Sequence, residues 1–136
     1  MVRPLMTDTV FLAQKAQPAD AGDVAVADDL LDTLKAHEDG CVGMAANMIG
    51  VRKRIICVTD GNRALLMYNP QILEQVNAYQ TSEGCLSLIG ERPCTRYRRI
   101  KVEYLDENFV HRIKNFSGYT AEIIQHEIDH CNGVVV

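Results

Sequence analysis

The sequence predicts an α+β fold, a helix packed on antiparallel β-sheet within a single domain spanning residues 1–136. Three observations carry this. Segments that read as helical lie toward both ends, paired short apolar runs with turn signals fill the middle, and 136 residues suffice for one core but not two. Hydrophobic residues make up 47% and charged residues 24%, values of a folded globular chain rather than a disordered one.

Residues 16–23 (AQPADAGD) are small and turn-prone and read as a loop. Val26, Leu30, Leu31 and Leu34 then define one face of a helix over 24–38, with Asp23 as its cap and Gly40 as its stop. RIICVT (54–59) and ALLMYN (64–69) flank Asp60-Gly61-Asn62 and read as a hairpin. IKVEYLD (100–106) and FVHRIKNF (109–116) alternate apolar and polar residues around Glu107-Asn108, a second hairpin solvated on one face. The last element, YTAEIIQHEIDHCN, is helical, with Ser117 or Thr120 placed to cap it.

A formal net charge of −4 argues against DNA or other nucleic acid as a partner bound by bulk charge. The apolar runs are far too short for a membrane span, and the amino terminus shows no signal-peptide pattern, so the expected location is the cytoplasm, without membrane attachment. Five cysteines with no CxxC pair argue against a disulfide framework or an all-cysteine zinc site.

His126-Glu127-Ile128-Asp129-His130 is an HExxH motif. On a helix, residues four apart stack on one face, so two imidazoles can reach one metal ion. Glu127 then stands beside that ion as a general base for a bound water. Catalytic sites of this kind use three protein ligands, and the few residues after His130 supply no glutamate or histidine. Cys131 lies about 100° around the helix from His130 and faces away. The third ligand therefore comes from upstream, from His37, His111, an acidic residue or one of the other four cysteines. Cys85, inside Glu83-Gly84-Cys85-Leu86-Ser87, leads this group slightly. A neighbouring glycine permits close backbone approach, and a thiolate suits a borderline divalent ion.

Three motifs in order, GMAANMIG (43–50), EGCLS (83–87) and QHEIDH (125–130), together with YNP (68–70), resemble those of the peptide deformylase family. The resemblance runs from Gly40 to the end of the chain. It implies antiparallel β-sheets around a central HExxH helix, with one divalent metal held by Cys85, His126 and His130. Iron(II) is the expected ion, replaceable by zinc, nickel or cobalt. Glu127 is then the general base, and the backbone N–H of Leu86 is a donor to the reacting oxygen. The implied reaction removes the formyl group from N-formylmethionyl peptides, which admits the ribosome as a partner. Val42, Tyr119 and Ile123 are placed to line an apolar pocket for the methionine side chain. Gly43, Met48, Glu83 and Gly84 are placed beside the substrate as motif residues. Arg96 is expected near the peptide backbone, within a run (Arg92, Arg96, Arg98, Arg99, Lys101) that otherwise reads as a solvated strand face. Asp129 is expected to support a ligand rather than be one.

Two positions depart from the family pattern. Cys41 stands where the family has a glycine, and Met48 where it has a glutamine whose amide donates to the reacting oxygen. A thioether cannot donate. This keeps an alternative in view, a paralogue with weak or altered amide hydrolase activity.

Overall fold

The computed structural model describes residues 1–135. Strands β1 (Gly43–Ala45), β2 (Ile55–Asp60), β3 (Arg63–Cys85), β4 (Leu88–Leu105) and β5 (His111–Ser117) form one antiparallel sheet in the order β1-β2-β3-β4-β5. Among the described residues, three α-helices accompany it: α1 (Thr9–Leu12), α2 (Val24–Ala36) and α3 (Gly118–Cys131). Among the described residues, no helix is long and apolar enough to cross a membrane.

β2 explains the layering. Its first four residues, Ile55 to Val58, are all buried, because both faces of the sheet are covered there. Ile55 and Cys57 pack with Leu30 and Leu34 of α2. Ile56 and Val58 turn the other way and pack with Ile124 and Ile128 of α3. The period-2 alternation of a strand thus divides one apolar run between two cores. α3 carries the HExxH residues on the second of these cores.

The hairpin expected after Asp60 is present, but its second strand does not stop at Asn69. β3 runs 23 residues in all, from Arg63 to Cys85, and turns at Leu86-Ser87 into the 18-residue β4. The sequence conceals this extension because most of 71–84 is exposed and polar. Cross-strand pairing holds it, from Gln71↔Glu103 to Gly84↔Glu91, with register shifts after Tyr68, Ile72 and Gly84. The result places EGCLS at a hairpin tip that returns to the HExxH helix.

Asp23 occupies the cap position of α2, but its carboxylate makes no bond to that helix and instead accepts from the Asp20 N–H in a short 3₁₀ turn over Ala21–Asp23. Ser117 occupies the cap position of α3 without a side-chain bond, and the Thr120 hydroxyl donates to Asp60 instead. The second hairpin is stapled by Asp106, whose Oδ1 accepts from the N–H groups of Asn108 and Val110.

Candidate active site

The tip of the β3–β4 hairpin and one face of α3 bring three ligand atoms together. Cys85 ends β3, while His126 and His130 lie one helical turn apart on α3. The ligand atoms of these three residues all lie within 4.8 Å of one another. His130 Nε2 is 3.5 Å from Cys85 Sγ and 3.2 Å from His126 Nε2. Tetrahedral ligands at ~2.0–2.1 Å (nitrogen) and ~2.3 Å (sulfur) from an ion stand roughly 3.3 Å (N···N) and 3.6 Å (N···S) apart. The observed separations match that cage, so the donor set fits a borderline divalent cation.

His126 is anchored from behind. Its Nδ1 meets Glu83 Oε1 at 2.8 Å, which leaves Nε2 to face the ligand cluster. Glu83 is shared with Arg96, whose Nη2 donates to Oε1 at 2.7 Å and whose Nε bridges both carboxylate oxygens at 3.1 and 3.0 Å. Arg96 Nη1 reaches Asp129 Oδ2 at 2.7 Å. Burial would push the Glu83 carboxyl up, but the bonds from His126 and Arg96 outweigh it and hold it well below the usual range. Burial likewise works against charge on His126, but the bonds to Cys85 and Glu83 lift it to about 10. His130 goes the other way: burial first, and the neighbouring His126 charge second, lower it to about 3.

Glu127 lies at the inner wall of a cavity of about 530 Å³. It is 3% exposed, and its Oε1 has no hydrogen-bond partner among the described residues. Burial raises its carboxyl to about 7, the region in which a base can both accept and return a proton near neutrality. Gly43 makes room for it. A Cβ at that position would stand 2.6 Å from Ile123 Cγ2 and 3.0 Å from Glu127 Oε2.

The cavity wall includes Val42, Gly43, Met48, Glu83, Gly84, Leu86, Tyr119 and Ile123 with Cys85, His126 and Glu127. Met48 is buried, and its Sδ accepts from the Ala45 N–H at 3.4 Å. Arg96, expected near the peptide backbone, is not among the residues of this wall. It is 4% exposed, and its donors are taken up by Glu83 and Asp129. Nor is it part of a solvated face, unlike its exposed neighbours Arg98 and Arg99. Glu91 and Glu122 also line the cavity, and the motifs do not point to either. Glu122 is legible in hindsight, since it lies one turn before His126 on the same helical face. Glu91 arrives across the hairpin, and nothing in its local sequence signals it.

A buried carboxylate beside a cysteine and two histidines, on an antiparallel sheet with helices on both faces, is an arrangement suited to metal-assisted hydrolysis. Similarity to known proteins specifies the family. The family profile of polypeptide deformylase matches residues 5–136. The peptide deformylase of Clostridium beijerinckii is 51% identical over 136 residues, covering all of both chains. The crystal structure of peptide deformylase from Thermus thermophilus superposes with a TM-score of 0.85 at 33% identity, covering 99% of this chain and 83% of that one. The Met-Ala-Ser-bound class I type b peptide deformylase from Acinetobacter baumannii superposes with a TM-score of 0.88 at 30% identity, covering 99% and 97%. The chain belongs to the polypeptide deformylase family.

Proposed function

We propose that the chain, acting as a single catalytic domain over residues 1–136, removes the formyl group from the N-terminal formylmethionine of nascent polypeptides. The observation that carries this reading is the convergence of Cys85, His126 and His130 within 4.8 Å beside the unpartnered, buried Glu127. The full-length match to a peptide deformylase favours this activity over a weakened paralogue, despite Met48.

Cys85, His126 and His130 are the ligands, and iron(II) is the proposed ion, with zinc, nickel or cobalt as substitutes. A bound divalent ion supplies Lewis acidity toward the formyl oxygen and lowers the pKa of a coordinated water. Glu127 takes the proton of the attacking water and hands it to the leaving amine. The backbone N–H of Leu86, at the hairpin tip, donates to the developing oxyanion. Glu83 fixes the His126 ring, and Arg96 holds Glu83 in turn. Val42, Tyr119 and Ile123 receive the methionine side chain, while Gly43, Met48 and Gly84 shape the wall around the formyl group. N-formylmethionyl peptides are the substrate class, presented in the cytoplasm by the ribosome, and neither DNA nor a membrane is required.

The test is turnover of formyl-Met-Ala-Ser by anaerobically purified, iron-loaded protein. Glu127→Gln is expected to reduce kcat at least ~100-fold while the metal stays bound. Wild-type protein without turnover, or a fully active Glu127→Gln variant, overturns the reading.

A further inference from the structure

We infer that Asn47 is a positioning residue for His130, its side-chain oxygen taking up the ring Nδ1–H that His130 carries when Nε2 serves as a metal ligand. The inference rests on the metal-site reading above and goes beyond it by naming the second histidine's support.

The two histidines are held unequally. His126 Nδ1 has Glu83 behind it at 2.8 Å. His130 Nδ1 is buried and has no hydrogen-bond partner among the described residues. Its Nε2 faces Cys85 Sγ and His126 Nε2, so Nε2 is the ligand atom and the ring proton belongs on Nδ1. An N–H in that position needs an acceptor, because the residue is 0% exposed.

Asn47 sits in the 3₁₀ turn Ala46–Ile49 that follows β1, and it is 1% exposed. Its Nδ2 donates to the backbone oxygen of His130 at 3.0 Å. Its Oδ1 is the complementary orphan, buried and without a partner among the described residues. One unsatisfied donor position and one unsatisfied acceptor therefore lie on two buried residues already joined by a hydrogen bond. Pairing them, directly or through one buried water, satisfies both at once. The same amide thus grips the His130 backbone with its nitrogen and the His130 ring with its oxygen, fixing tautomer and orientation together.

The experiment measures zinc affinity by chelator competition at pH 7.5 for the full chain, wild type beside Asn47→Leu and Asn47→Asp. Asn47→Leu lacks both groups and is expected to bind zinc ~10–100-fold more weakly. Asn47→Asp keeps the acceptor and loses the donor, and is expected to recover most of that loss. Binding by Asn47→Leu within twofold of wild type overturns the inference, as does Asn47→Asp binding as weakly as Asn47→Leu, since the amide then acts only through the His130 carbonyl. Wild type that binds no zinc overturns the metal site itself and this inference with it. Should Asn47→Leu fail to fold, nitrogen-15 histidine spectra of zinc-loaded wild type decide. A slowly exchanging Nδ1 proton on His130 supports the inference, and exchange at the rate of free imidazole refutes it.

Discussion

Glu83→Gln is the sharpest test of how the site is held. The Glu83 carboxylate receives His126 Nδ1 at 2.8 Å, Arg96 Nη2 at 2.7 Å and a bridging Arg96 Nε. The side chains of Glu83 and Arg96 are only 9% and 5% exposed. Glutamine keeps the shape but loses the charge, and its NH₂ group faces donors already pointing inward. Removing one partner of a buried pair typically costs about 3–5 kcal/mol. Arg96 retains Asp129, so the lower end, about 3 kcal/mol, is expected here. For a chain of this size that corresponds to a Tm loss of roughly 10 °C. The metal-free protein is the right sample, because bound metal adds its own stabilisation. The pH dependence gives a second reading. The Glu83 carboxyl is held below its unfolded value of about 4.5, so its contribution is complete above that pH and is lost as pH falls. The difference between wild type and variant is therefore expected to be full at pH 7 and to shrink below pH ~4. A Tm change under ~3 °C, or a difference that does not narrow in acid, would show that the Glu83–Arg96 link carries no such load.

Three further outcomes are expected. Gly43→Ala places a methyl 2.6 Å from Ile123 Cγ2 and 3.0 Å from Glu127 Oε2, so kcat/KM for formyl-Met-Ala-Ser should fall at least ~10-fold, with a stability loss of about 1–3 kcal/mol from overpacking. Ile124→Ala empties a fully buried position between α3 and the sheet and should lower unfolding free energy by about 2–5 kcal/mol in urea titrations. Zinc binding should release a proton near pH 7.5, because His126, lifted to about 10, is charged in the metal-free protein and must be neutral to ligate. Affinity should then rise about tenfold per pH unit for each proton displaced, and calorimetry in buffers of different ionisation enthalpy reads that number directly.

The sequence alone determined the chemistry more fully than the shape. HExxH is a local device: a four-residue spacing on a helix brings two imidazoles and a carboxylate to one side whatever surrounds them, and the helix appears where the apolar periodicity put it. The hairpin at Asp60-Gly61-Asn62 and the apolar face of α2 were legible for the same reason, each being encoded within a dozen residues. Tertiary structure decided what depends on long-range pairing. β3 and β4 persist through a polar stretch because each strand satisfies the backbone of the other, and only that pairing carries Cys85 back to α3. Arg96 stands in a basic run whose other members read as a solvated strand face, yet it lies buried, because two acids distant in sequence neutralise it. Asn47 and His130 are 83 positions apart, and no pattern along the chain links them. Periodicity encodes which face of an element is apolar or reactive, whereas the partner that face meets is set only when separate elements close on one another.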